Sequence, residues 1–70
     1  MKYYLKEGKV IARSYQTSYG YNFEIGTGRE KVASPCVMND FFATTSLHLH
    51  SLRELQRAEK QLGEVQVLQE

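Results

Sequence analysis

Seventy residues, 8.1 kDa and a formal net charge of +1 allow one small domain, residues 1–70, with no global field that would draw it to nucleic acid or a membrane. A hydrophobic fraction of 41% with a single proline excludes a disordered chain, and the lone cysteine, Cys36, excludes an internal disulfide. A core this small seldom holds a fold without a disulfide, a metal or a second subunit, so tight packing, oligomerisation or a metal site remains.

The opening Met1-Lys2-Tyr3-Tyr4-Leu5-Lys6 has neither a long apolar stretch nor a small-residue cleavage site, so no leader is expected there. A β-hairpin comes next. Tyr3-Tyr4-Leu5 and Val10-Ile11-Ala12 flank Lys6-Glu7-Gly8-Lys9, where Gly8 supplies a left-handed turn position. A two-residue Glu7-Gly8 turn would set Lys6 against Lys9 and Lys2 against Arg13, and like charges directly opposed destabilise a ladder. The expected register is therefore a three-residue turn with a bulge at Gly8, pairing Leu5 with Lys9, Tyr4 with Val10 and Tyr3 with Ile11.

Tyr19, Tyr21, Phe23 and Ile25 alternate with Gly20, Asn22 and Glu24, the period of a strand with one aromatic face. Gly26-Thr27-Gly28-Arg29 should turn the chain, residues 30–33 should return as a partner strand, and Ser34-Pro35 should interrupt it. Phe41, Ala43, Thr45, Leu47 and Leu49 alternate with Phe42, Thr44, Ser46, His48 and His50. This run reads as a strand with its odd positions inward, and a helix from Asp40 is the competing assignment. Ser51-Leu52-Arg53-Glu54 is a capping box: Ser51 caps and Glu54 reaches back. Leu52, Leu55, Ala58 and Leu62 then share one arc of roughly 120° on a helix, and Gly63 stops it. Glu64 to Leu68 alternates again as a short last strand. The expected fold is α+β: an antiparallel sheet of four to five short strands, one amphipathic helix over about 52–62 on one face, and a short C-terminal strand.

Several groups of residues invite a chemical reading. His48 and His50 share a strand face and, with Cys36 upstream, could ligate zinc. They equally suit two solvent-facing histidines and a small buried thiol, and no metal or other cofactor is called for. Gly26 and Gly28 with Arg29 and Lys31 could hold an anion. A phosphate loop should open a helix, however, and a hairpin turn explains both glycines. Tyr15, Tyr19, Tyr21 and Phe23, with basic residues nearby, suit core, a protein interface or a base-stacking platform. Arg53, Arg57 and Lys60 lie within roughly 60° of one another, opposite the apolar arc. They form a solvated face or a contact for an acidic partner. Glu59 sits near the edge of that arc, where helix and sheet rim should meet.

A Cys36–His48 or Cys36–His50 pair could in principle act as nucleophile and base. Seventy residues leave little room for a pocket beside a core, so no enzyme activity is expected. A free cysteine and the absence of an 18-residue apolar run point to a cytoplasmic setting away from membranes. The leading expectation is a regulatory or inhibitory protein-binding module that also forms homo-oligomers through an uncovered sheet face or edge. Size alone suggests a phage or mobile-element origin. A nucleic-acid-binding regulator, or a small-ligand or nucleotide binder at an oligomer interface, is the alternative.

Overall fold

The computed structural model describes residues 1–27 and 42–69, with backbone alone at Thr27 and Phe42. Its elements are β1 (Lys2–Lys6), β2 (Lys9–Thr17), β3 (Gly20–Thr27), β4 (Phe42–Leu49), α1 (Leu52–Gln61) and β5 (Gln66–Gln69). The strands form one sheet in the order β4-β3-β2-β1-β5, antiparallel at every junction. This is the expected α+β class. The helix carries the chain from the β4 edge to the β5 edge, so it must cross one sheet face. The strand assignment for 42–49 prevails over the competing helix. The expected strand at 30–33 lies outside the described residues.

The first hairpin departs from its expected register. Glu7 (φ 53°) and Gly8 (φ 79°) are both left-handed, as a two-residue type I′ turn requires. Lys6 does face Lys9, with both side chains in solvent, where like charges cost little. The second clash is removed by a bulge at Ile11. Leu5 pairs with Val10 and Tyr4 with Ala12, so Lys2 meets Ser14 and Arg13 meets Tyr3. The bulge also breaks the alternation of β2, because one extra residue flips the rest of the strand to the other face.

Val10 therefore joins Tyr3, Leu5 and Leu68 on the face away from the helix, whereas Ala12 joins Tyr4, Phe23 and Leu55 beneath it. Around this second cluster pack Ile11, Tyr21, Ile25, Leu49, Ala58, Leu62 and Val65. Tyr4 and Phe23 meet at 5.5 Å between ring centres, tilted by 50°, a favourable aromatic geometry. Of the expected inward residues of β4, only Leu49 packs on this core. The chain leaves β4 at Leu49 and α1 begins at Leu52, so only that end of the strand lies under the helix. Leu52, at the first helical position, is likewise exposed rather than packed.

Both helix ends agree with the sequence, with one shift. Ser51 is extended and its Oγ accepts from Glu54 N at 3.3 Å. The Glu54 carboxylate accepts from His50 N at 2.8 Å, one residue earlier than a capping box prescribes. At the far end Gly63 has φ 77° and its N–H donates to Lys60 O at 3.3 Å. A Cβ at Gly63 would meet nothing within 4 Å. Gly63→Ala should thus carry only the strain of a left-handed alanine, about 1 kcal/mol. A urea titration should show that loss, and an unchanged midpoint would remove Gly63 as the helix stop.

Candidate interaction surface

The tyrosine-rich stretch does not form one surface. Tyr19 sits at the tip of the β2–β3 turn, 79% exposed, with its N–H donating to Thr17 Oγ1 at 3.3 Å. The strand begins only at Gly20. Tyr21 is half-buried against the helix-side core. Phe23 is fully buried there, so no partner reaches it in the folded chain. Tyr15 pairs with Asn22 on the opposite face. A shared stacking platform built from these rings is therefore not formed.

The face away from the helix carries instead a polar row that the pattern of residues alone did not reveal. Asn22 Nδ2 donates to Tyr15 Oη at 3.1 Å, and Asn22 Oδ1 lies 3.0 Å from His48 Nδ1. One asparagine thus links β2, β3 and β4. Arg13 forms an ion pair with Glu24 in the neighbouring row. The rings of His48 and His50 stand 5.1 Å apart and nearly perpendicular, at 86°. Both side chains are exposed.

Beneath the helix, a second polar group ties α1 to the sheet. Tyr4 Oη donates to Glu59 Oε2 and lies 2.9 Å from Ser14 Oγ, and Lys2 Nζ stands 3.4 Å from the same Glu59 oxygen. Burial holds the Tyr4 hydroxyl well above its ordinary pKa, the hydrogen bond to Glu59 and that carboxylate's charge add to the rise, and the Ser14 hydrogen bond opposes it. Glu59 does mark the meeting of helix and sheet. Its tyrosine partner could have been found only from the register.

The basic residues Arg53, Arg57 and Lys60 are all exposed on α1. Arg57 borders a groove of about 330 Å³ between α1 and β4, lined with Leu47, Leu49, Ala58, Glu54 and Gln61. Leu47, 38% exposed, forms part of its apolar floor. Gly26, expected in a turn, lies inside β3 opposite Ala43, just past a register shift at which Thr44 of β4 is the extra residue. It therefore cannot cradle an anion as a loop glycine. Gly28, Arg29, Lys31 and Cys36 lie outside the described residues, as does the zinc reading that needs Cys36. Among the described residues, no three His, Cys, Asp or Glu side chains are grouped to hold a metal. No helix among them is long and apolar enough to cross a membrane.

The outer edge of β4 completes the surface. Among the described residues no strand pairs with that edge. Its eight residues, Phe42 to Leu49, include no Lys, Arg, Asp, Glu or Pro. Sheet edges are ordinarily blunted by charge, proline or shortness. The opposite edge, β5, is short at four residues, but β4 has none of these devices. Its outward N–H and C=O groups, without a strand partner among the described residues, run beside the groove that Leu47 and Leu49 floor. Comparison with family models, with curated proteins and with solved structures gives no match.

Proposed function

We propose that this chain is a non-catalytic protein-binding module that takes an extended segment of its partner along the outer edge of β4. Main-chain hydrogen bonds to the edge would supply affinity, and alternate side chains of the segment would enter the α1–β4 groove. An acidic side chain on that segment would meet Arg57, with Arg53 and Lys60 on the same helix face. A regulatory or inhibitory role suits a module that binds without reacting. The observation that carries this reading is a long edge strand free of charge and proline.

A second copy of the chain is one such partner. An uncharged strand can pair antiparallel with itself without setting like charges opposite each other. The nucleic-acid alternative has weaker support, because the tyrosines are divided between both faces and a turn, and Arg13 is engaged by Glu24.

Serial dilution of ¹⁵N-labelled protein tests the reading. Concentration-dependent amide shifts should concentrate on residues 43–49 and on the groove side of α1, and should persist when salt is raised. A phosphate-binding surface would instead lose affinity steeply with salt. Shifts confined to the Tyr15–Asn22 face would contradict the edge.

A further inference from the structure

We propose that His48 and His50 form a two-ligand site for a nitrogen-preferring divalent cation of the Zn²⁺, Ni²⁺ and Cu²⁺ class. His48 lies in β4 and His50 follows the last strand residue, Leu49, yet the two exposed rings stand side by side. In a tetrahedral zinc complex the ligating nitrogen lies about 2.0–2.1 Å from the ion, which puts ring centres about 3.2 Å away and two such centres about 5.2 Å apart. The observed separation is 5.1 Å.

Two further contacts prepare the pair. Asn22 Oδ1 is 3.0 Å from His48 Nδ1, and an amide oxygen only accepts, so Nδ1 carries the proton. The lone pair of the neutral ring is then on Nε2, facing away from the sheet contact. A hydrogen-bonded partner of this kind fixes the tautomer and orientation of a ligating imidazole. Asn22 is itself held, since its Nδ2 donates to Tyr15 Oη at 3.1 Å. The backbone at His50 is anchored independently, its N–H donating to the Glu54 carboxylate at 2.8 Å. Water would fill the remaining coordination positions, so the ion would exchange and would not staple the fold. Imidazole with open positions suits this cation class, whereas Mg²⁺ and Ca²⁺ prefer oxygen.

Titration of the full chain with ZnCl₂, monitored by calorimetry and by NMR of the histidine ring protons, tests the site. One ion per chain should bind, with both histidines perturbed. His48→Asn and His50→Asn should each weaken binding at least tenfold, and Asn22→Ala should do so by about tenfold through loss of ring orientation. These side chains are exposed or half-exposed, and unchanged dichroism of each variant would show that folding is intact. Chelator should leave the melting temperature and the helical dichroism of the wild type unchanged. Stoichiometric binding that survives the double histidine variant, absence of binding, or unfolding in chelator would each overturn the site.

Discussion

Gly20→Ala should destabilise the fold by about 2–6 kcal/mol, the combined scale of local backbone strain and an overpacked contact. Gly20 opens β3 with φ 145°, a conformation that side-chain-bearing residues rarely adopt. A Cβ built there would lie 2.2 Å from Leu49 O and 3.1 Å from His50 Cα. Both neighbours are backbone, so no rotamer change relieves the clash. Either the β2–β3 turn reshapes or the end of β4 moves outward. The second outcome would displace Leu49 from the core and disturb the His48–His50 pair with it. A chain of this length has only about 4–10 kcal/mol of stability, so the substitution removes a large share of it. Gly63→Ala, with open space around its Cβ, is the matched control. Urea titrations of the two variants should differ clearly, and equal losses would show that the close approach at Gly20 carries no energetic weight.

Tyr4 should be the most sensitive side chain in the core. It is fully buried, packs on Phe23 and donates to Glu59 across the helix–sheet boundary. Tyr4→Ala should cost about 3–5 kcal/mol, the range for truncating a large buried aromatic. Tyr4→Phe retains the ring but takes the hydroxyl away from the half-buried Glu59 carboxylate, leaving part-buried Lys2 beside it, and from buried Ser14, at a cost of about 1–3 kcal/mol. The raised pKa of the Tyr4 hydroxyl adds a pH signature. Its neutral form is favoured in the folded state, so its contribution is fully present below about pH 10, where an unfolded tyrosine starts to ionise. Above that pH the unfolded chain gives up the proton first, and stability falls as pH rises. The alkaline slope of the melting temperature should be smaller in Tyr4→Phe than in the wild type. Equal slopes would mean that the hydroxyl ionises freely.

Where one face is buried and polar residues alternate with it, the fold could be read along the chain. Tyr21, Phe23 and Ile25 keep strict alternation, and Ser51, Glu54 and Gly63 bracket a helix whose apolar arc includes Leu55, Ala58 and Leu62. The hairpin register was not legible, because a bulge at Ile11 adds one residue without any mark in composition. Charge opposition at Lys6 and Lys9 is a poor guide to the pairing. Both ends are in solvent, and a two-residue turn with Glu7 and Gly8 left-handed determines the register.

The polar contacts were hidden for a related reason. Tyr15, Asn22 and His48 come together only once two strand registers are known. The same holds for Tyr4 and Glu59, which are 55 residues apart. An edge without a strand partner among the described residues was foreseeable from one helix serving a five-stranded sheet. That the edge is β4 depends on strand order, which alternation along a single chain does not encode.

Sedimentation equilibrium of the wild type beside Leu47→Lys tests the β4 edge most directly. A lysine at this half-exposed groove position leaves the core intact, yet it sets a charge on the edge and opposes self-pairing. The wild type should form a reversible dimer in the micromolar range, with a melting temperature that rises with concentration. Leu47→Lys should sediment as an 8.1 kDa monomer with the wild-type dichroism. A wild type that stays monomeric to high micromolar concentration, or a dimer that survives Leu47→Lys unchanged, would contradict self-pairing along the β4 edge.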